Sequence, residues 1–201
     1  MAKSIEIEAK FAVAELGGVR ERLRTAGGTY VGRVVECNRF FDRADSSLRA
    51  AGCGLRVRSV RVLDGPAVAA TVTFKGPLQA GAFKTRRELE VGVSDAEVGA
   101  ELLTALGFAE TLSFEKVRES WRVGPCEVEL DELPYIGTFV EIEGASDEAI
   151  RIVQQQLGLG GLSSERASYL ALLLRHSERA GIAATSLRLE DGAIAAEHRS
   201  S

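Results

Sequence analysis

Three charged residues near the start of the chain, Glu6, Glu8 and Lys10, have types and spacing that could support chemistry. In an extended strand alternate side chains point to the same face, so these three share one face and the apolar residues between them take the other. Carboxylates about 7 Å apart along a strand repel each other, and a cation between them relieves that repulsion most directly. Two carboxylates and an ammonium suit a hard metal ion that carries an anionic ligand. The alternative is an ordinary strand with a solvated polar face.

The same alternation of charged and apolar residues recurs in later segments. The recurring carboxylates are Glu88, Glu90, Glu129, Asp131, Glu141 and Glu143, and the recurring cations are Arg56, Arg58, Lys75, Lys84, Arg86, Lys116 and Arg118. Acids and bases are sorted onto different segments, as in the acidic pair Glu141 and Glu143 and the basic pair Arg56 and Arg58. A merely solvated face gives no reason for that sorting.

Apolar periodicity and turn residues predict strands at 4–11, 29–42, 55–60, 68–75, 83–93, 110–123, 127–131 and 139–143, and helices at 13–26, 94–106, 147–158 and 163–176. Strands joined mainly by turns pair antiparallel, and the helices have apolar faces that can cover the sheet from outside. If the sheet closes, its charged face lines a tunnel, and if it stays open, that face lies in water. The sorted charges favour the tunnel. Tyr169, in the last predicted helix, is assigned to core packing.

Composition places the chain among globular proteins. With 201 residues and 45% apolar content it can bury a sizeable core. No apolar run approaches the ~20 residues of a membrane span and no signal-peptide pattern opens the sequence, so we expect a cytoplasmic protein without a membrane partner. Three scattered cysteines and two histidines argue against a disulfide framework and a zinc site. The net charge of -4 lacks the basic footprint of nucleic-acid binding, so no nucleic-acid partner is expected.

The ordered motifs resemble one known family. Glu6-x-Glu8-x-Lys10 is similar to the opening signature of the CYTH superfamily, also called triphosphate tunnel metalloenzymes. The segments that follow in the expected order are Phe40-Phe41-Asp42, Leu55-Arg56-Val57-Arg58, Thr73-Phe74-Lys75-Gly76-Pro77, Lys84-Thr85-Arg86-Arg87-Glu88-Leu89-Glu90, Lys116-Val117-Arg118, Glu129-Leu130-Asp131 and Phe139-Val140-Glu141-Ile142-Glu143. The resemblance covers residues 4–176, and the ordered set is far more specific than the first motif alone. Relatives often have Thr and Tyr where this chain has Arg39 and Phe40.

The resemblance implies an α+β fold built on an antiparallel, roughly eight-stranded closed β-barrel, a tunnel with a charged interior and flanking helices. Residues 1–177 would form this tunnel domain, and residues 178–201 would be a weakly structured C-terminal tail. The implied protein is an enzyme that acts on triphosphates with Mg2+ or Mn2+.

The same resemblance implies a role for each charged motif. The metal ligands would be Glu6, Glu8, Asp131, Glu141 and Glu143. The substrate-binding cations would be Lys10, Arg56, Arg58, Lys75, Arg86, Lys116 and Arg118, and the catalytic residues would be Glu6, Glu8 and Lys10. The roles of Lys84, Glu88 and Glu90 are left open, with salt bridges to arginine ranked first for the two acids. Crowding of acids predicts that Glu141→Gln relieves repulsion and raises stability.

The implied substrate is a small triphosphate, namely tripolyphosphate, a nucleoside triphosphate or thiamine triphosphate. Hydrolysis is the leading reaction because it needs only the triphosphate and a water. A class IV adenylate cyclase, which converts ATP to cyclic AMP and pyrophosphate, is the alternative. A non-catalytic triphosphate or polyphosphate sensor is a third interpretation from a different class. The oligomeric state is left open between a monomer and a homodimer.

Overall fold

A computed structural model of the chain describes residues 5–62, 66–181 and 185–189. The described strands are β1 (Ile5–Val13), β2 (Thr29–Asp42), β3 (Gly54–Val62), β4 (Ala67–Gln79), β5 (Lys84–Val93), β6 (Ala109–Val123), β7 (Cys126–Leu133), β8 (Gly137–Glu143) and β9 (Ser186–Leu187). The described helices are α1 (Gly17–Thr25), α2 (Ser47–Ala50), α3 (Ala96–Ala105), α4 (Asp147–Gln156) and α5 (Tyr169–Ala180). Most of these elements lie where the apolar periodicity predicts them.

Strands β1 to β8 form a closed antiparallel ring. Around the ring they run β2, β3, β4, β5, β1, β8, β7 and β6, and a long antiparallel pairing of β6 with β2 closes it. Strand β9 pairs in parallel with Ser113 and Phe114 of β6, at a part of β6 that β7 does not reach. The predicted α+β fold with a tunnel is therefore confirmed, and the open-sheet alternative is wrong.

The period-two pattern divides the side chains between the inside and the outside of the ring. On β1 the three signature residues line the interior, whereas Phe11 belongs to an outer apolar core. Helices α1 and α4 cover that core, where Leu23 and Ile150 are fully buried. Each such side chain contributes about 1.5–3 kcal/mol on burial. The outer helices therefore stabilise the ring while its charged face stays inside.

One end of the ring interior is apolar. On β6 the inward residues Leu112 and Phe114 precede the inward charged residues, and on β8 the inward residue Phe139 does the same. These three side chains pack with Tyr169 and Leu173 of α5 in one buried cluster. Helix α5 therefore packs against this end of the tunnel and brings its first turn close to the charged interior.

Two helices begin later than predicted, for local reasons. Helix α1 begins at Gly17 and not at residue 13, because the chain up to Val13 is still paired with β8. Helix α5 begins at Tyr169 and not at residue 163, because the side chain of Ser168 accepts a hydrogen bond from the backbone N–H of Ala171 at 3.2 Å. Residues 163–168 are irregular and lead into the helix.

Strand β4 is longer than predicted. Gly76 and Pro77 predict an end, but the strand continues to Gln79 across a register shift between Lys75 and Leu78. Proline is tolerated at such an irregularity because it has no backbone N–H to donate to the ladder.

The predicted tail is partly described. Helix α5 crosses the predicted boundary at residue 177 and continues to Ala180, and Gly181 ends it with a positive φ of 66°. Residues 182–184 and 190–201 of the tail, like residue 4 of the first predicted strand, lie outside the described residues. The division into 1–177 and 178–201 stays a prediction. No helix within the described ranges is long and apolar enough to cross a membrane.

Candidate active site

The ring encloses a cavity of about 1110 Å³. All but one of the predicted site residues line it. Those that do are Glu6, Glu8, Lys10, Arg56, Arg58, Lys75, Arg86, Lys116, Arg118, Glu141 and Glu143. The remaining residue, Asp131, is fully buried beneath that surface. The residues whose roles were left open, Lys84, Glu88 and Glu90, also line the cavity. The structure therefore brings the predicted charges together in one place.

The two signature carboxylates are each held by lysine. Glu6 accepts a hydrogen bond from Lys75 Nζ at 2.7 Å and one from Arg86 Nε at 3.3 Å. Glu8 accepts a hydrogen bond from Lys84 Nζ at 2.5 Å. Burial of Glu6 opposes ionisation, but the ammonium of Lys75 together with Arg86 outweighs it and lowers the pKa of Glu6. Glu6 is therefore a carboxylate near neutral pH.

Lys10 is held by three different elements. Its Nζ lies 3.3 Å from Glu141 Oε1 on β8 and donates to the backbone carbonyl of Ala167 at 3.0 Å. The same Nζ lies 4.0 Å from the centroid of the Tyr169 ring at the start of α5. Lys10 is almost completely buried, so its ammonium has a fixed position in the cavity wall.

Asp131 joins two cations to the aromatic residue of α5. Its carboxylate accepts hydrogen bonds from Lys116 Nζ at 2.9 Å, from Arg118 Nε at 2.7 Å and from the hydroxyl of Tyr169 at 2.8 Å. Arg118 Nη2 adds a further hydrogen bond to Asp131 at 2.6 Å. In this arrangement both carboxylate oxygens are used by donors of the protein. The metal-ligand role of Asp131 stays a prediction.

Glu36 is a site residue that the sequence pattern did not single out. It lines the cavity from β2 and accepts a hydrogen bond from Arg58 Nη1 at 2.8 Å, while Lys116 Nζ lies 3.3 Å from its other oxygen. Burial opposes its ionisation, but Arg58, Lys116 and Arg118 lower the pKa of Glu36 far below the usual carboxyl range. The sequence did contain a signal for Glu36, since it lies two residues before Asn38 and therefore shares a strand face with it. In the structure Asn38 also contacts the tunnel cations, because it accepts a hydrogen bond from Arg58 Nε at 2.8 Å.

The wall around Arg56 presents buried donors that have no partner among the described residues. These are Arg56 Nε, Asn38 Nδ2 and the hydroxyl of Thr71, on three neighbouring strands. Burial, and after it the charge of Arg58, lowers the pKa of Arg56 to about 10. Leaving a buried donor unpaired costs about 1–3 kcal/mol. Arg56 and Asn38 also line the cavity, where a bound anion would supply an acceptor for them.

Both acids of β5 lie near cations, but among the described residues the expected arginine partner is found only at Glu90, since Glu88 pairs with a lysine. Glu88 Oε2 lies 2.7 Å from Lys75 Nζ. Glu90 accepts from the hydroxyl of Thr73 at 2.8 Å and lies 3.8 Å from Arg56 Nη2. Lys84, by contrast, pairs with Glu8 of the signature motif.

The acids of three neighbouring strands stand in rows. Glu143 of β8 is directly opposite Glu8 of β1 on one side and Glu127 of β7 on the other. In the next row Glu141 lies opposite Lys10 and Glu129. Carboxylates directly opposite one another destabilise a sheet unless cations lie among them.

The ligand chemistry of these acids indicates which class of metal ion the chain could bind. Carboxylate oxygens without thiolate or imidazole suit hard cations such as Mg2+ or Mn2+. In the part of the chain that the structure describes, no three acidic, histidine or cysteine groups are placed to hold an ion, because the acids are paired with cations. The donor chemistry therefore fits the predicted metal, and the individual ligands stay a prediction.

The chain departs from the expected motif at the end of β2. Arg39 lies outside the tunnel and pairs with Glu97 at 2.7 Å and Glu110 at 2.8 Å. Phe40 lines the cavity and stacks on Phe114 with ring centroids 5.7 Å apart. At these two positions, where relatives often have Thr and Tyr, there is consequently no hydroxyl in the tunnel.

Comparison with known proteins gives one consistent family. The model of the CYTH domain matches residues 4–169. A protein of Methanocaldococcus jannaschii named a putative adenylate cyclase is 28% identical over 177 residues, which cover 84% of this chain and 98% of the relative. The adenylate cyclase CyaB of Aeromonas hydrophila is 29% identical over 146 residues, 68% of this chain and 71% of the relative. The solved structure of the PH1819 protein from Pyrococcus horikoshii is 30% identical, with a TM-score of 0.71 over 85% of this chain and 98% of that one.

Proposed function

Because the chain belongs to the CYTH domain family, we propose that it is a divalent-metal-dependent enzyme that acts on small triphosphates. The observation that supports this most is the tunnel itself, where cations from five strands point into one cavity. These cations are Lys10, Arg56, Arg58, Lys75, Lys84, Arg86, Lys116 and Arg118. Cations held on rigid strands bind a polyanion without the entropic cost of ordering flexible loops.

The charge balance of the tunnel supports a requirement for metal. Among the described residues, the cavity lining contains eleven lysines and arginines and ten aspartates and glutamates. Cations and acids therefore nearly cancel, and a bare triphosphate would gain little net attraction. A divalent ion adds the positive charge that the lining lacks, so metal and triphosphate should bind together.

The acids of β1 and β8 would hold the metal, and the cations of β3 and β6 would hold the phosphates. When bound there, a divalent ion would supply polarisation of the phosphoryl oxygens and a position for the attacking water. Arg58, Lys116 and Arg118 would bind and orient the phosphoryl groups, since charge-assisted hydrogen bonds are short and directional. Catalysis of phosphoryl transfer rests almost entirely on such positioning and charge stabilisation.

Hydrolysis is the reaction that this site supports best. Hydrolysis requires a triphosphate, a metal and a water. Cyclisation also requires a nucleoside-binding pocket that places the ribose hydroxyl in line with the α-phosphorus. A class IV adenylate cyclase is the second candidate, because two relatives that match over most of their length are named as a putative adenylate cyclase and an adenylate cyclase. A non-catalytic sensor of triphosphate or polyphosphate is the third.

One assay separates the three candidates. Tripolyphosphate, ATP and thiamine triphosphate are incubated with the protein and Mg2+ or Mn2+, and phosphate, pyrophosphate and cyclic AMP are measured together, with a metal-free sample as control. Hydrolysis predicts metal-dependent phosphate release without cyclic AMP. Equal amounts of cyclic AMP and pyrophosphate from ATP would establish the cyclase instead. Tight binding without any product would establish the sensor and overturn the enzyme.

A further inference from the structure

Tyr169 touches the charged interior although it belongs to an outer helix. It is the first residue of α5, and 7% of its surface is exposed. The centroid of its ring lies 4.0 Å from Lys10 Nζ and 5.0 Å from Lys116 Nζ. The face of an aromatic ring is electron-rich and attracts cations at these distances. One ring therefore holds two ammonium groups that come from different strands.

The hydroxyl of Tyr169 reaches a third cation through Asp131. It donates to Asp131 Oδ2 at 2.8 Å, and the same oxygen accepts from Arg118 Nη2 at 2.6 Å. Burial, and after it the charge of Asp131, raises the pKa of Tyr169 well above its usual range. The hydroxyl consequently stays protonated and donates at every ordinary pH.

The chain before Tyr169 is anchored to the same place. The backbone N–H of Glu165 donates to the carbonyl of Lys10 at 2.7 Å, and Lys10 Nζ donates to the carbonyl of Ala167 at 3.0 Å. The ring of Tyr169 also meets Phe139 edge to face, with centroids 5.2 Å apart. The position of the ring is therefore determined by β1, β8 and the start of α5 together.

We propose that Tyr169 is a positioning residue, whose ring and hydroxyl hold Lys10, Lys116 and Arg118 in the arrangement that receives a triphosphate. The proposal rests on the proposed function, because it takes these cations as ligands of the substrate. Core packing alone explains the contact with Phe139 but not a hydroxyl directed at a buried carboxylate, since a phenylalanine would pack equally well. The first turn of α5 thereby becomes part of the binding site.

Two substitutions separate the ring from the hydroxyl. Tyr169→Phe keeps the ring under the lysines and removes one donor to Asp131, so the affinity for tripolyphosphate with Mg2+ should fall about threefold to tenfold. Tyr169→Leu removes both contacts, and the affinity should fall by more than in Tyr169→Phe. In both variants KM should rise more than kcat falls. Leu173→Val is the matched control, because Leu173 lies one turn later in the same buried cluster without a charged contact and should change stability but not affinity.

Calorimetric titration with tripolyphosphate and lysine NMR together decide the proposal. The chain contains five lysines, so the side-chain resonances of a lysine-labelled protein are few enough to assign. Ring-current shifts of Lys10 and Lys116 should persist in Tyr169→Phe and vanish in Tyr169→Leu. Folded Tyr169 variants with the affinity of the wild type, or with the same loss as Leu173→Val, would overturn the proposal. If the wild type bound no triphosphate, the proposed function would fail, and the lysine shifts alone would decide whether Tyr169 positions the cations.

Discussion

At the scale of single residues, two facing acids of the tunnel have opposite environments. Glu141 lies 3.3 Å from Lys10 and 2.5 Å from Arg118, which outweigh burial and hold the pKa of Glu141 well below its usual range. Glu129, directly opposite on β7, has Arg118 at 3.8 Å and a hydrogen bond from Ser120, yet burial prevails and raises the pKa of Glu129. The repulsion that acid crowding predicts is therefore relieved at Glu141 by interleaved cations.

Thermal melts without metal or substrate test this contrast. Glu141→Gln removes a stabilised carboxylate and should lower the free energy of unfolding by about 1–3 kcal/mol. The thermal midpoint should then fall by roughly 2–4 °C for each kcal/mol lost. Glu129→Gln removes a disfavoured charge, keeps an acceptor for Ser120, and should leave the midpoint unchanged or higher. This reverses the stabilisation of Glu141→Gln that the sequence alone predicts. Equal losses in the two variants would contradict the assigned electrostatics.

Glu36 should make the protein sensitive to acid. Its pKa is lowered in the folded chain from the ordinary 4.5, so its contribution to stability is complete above that value and is lost as the pH falls below it. Glu36→Gln should be less stable than the wild type at pH 7, and its stability should fall less steeply between about pH 5 and pH 3. Urea midpoints across this range give the measurement, and a variant as acid-sensitive as the wild type would show that Glu36 is not the titrating group.

At the scale of elements, the sequence predicts what is local and misses what is distant. Alternation at a period of two is visible within one strand, and it correctly places Glu6 and Lys10 inside the ring. The role of Tyr169 depends on contacts with residues far away in the chain, such as its hydrogen bond to Asp131, 38 positions earlier. No periodicity within α5 reveals that partner, so core packing was the natural interpretation. The ring closure of β2 with β6 is equally invisible before the strands are assembled.

The observed start of α5 can be tested with two serines. Ser168 caps the helix, so Ser168→Ala should cost about 1 kcal/mol and lower the thermal midpoint by roughly 2–4 °C. Ser163, where the sequence predicts the helix to begin, is exposed and lies outside it, so Ser163→Ala should have no measurable effect. The reverse order of the two midpoints would restore the predicted helix start.

At the scale of the whole molecule, ring closure and charge balance act together. Closure removes open edges from the eight-stranded ring and buries cations and acids in one cavity, where they nearly cancel. Tripolyphosphate should therefore bind at least about tenfold more tightly with Mg2+ than without it, because the metal supplies the missing positive charge. Calorimetry at constant ionic strength, with K+ in place of Mg2+ as the control, measures the ratio. Equal affinities would mean that the cations alone attract the substrate.

The central claim is that the inside of the ring is the triphosphate site, and a pair of arginine variants tests it most directly. Arg118 points into the cavity, whereas Arg33 lies on the exposed surface and pairs with Glu132 at 2.9 Å. Phosphate release from tripolyphosphate with Mg2+ should fall at least about tenfold in Arg118→Ala, from loss of charge-assisted hydrogen bonds, and stay at the wild-type rate in Arg33→Ala. A folded Arg118→Ala protein with wild-type turnover, or an equal loss in Arg33→Ala, would contradict the claim.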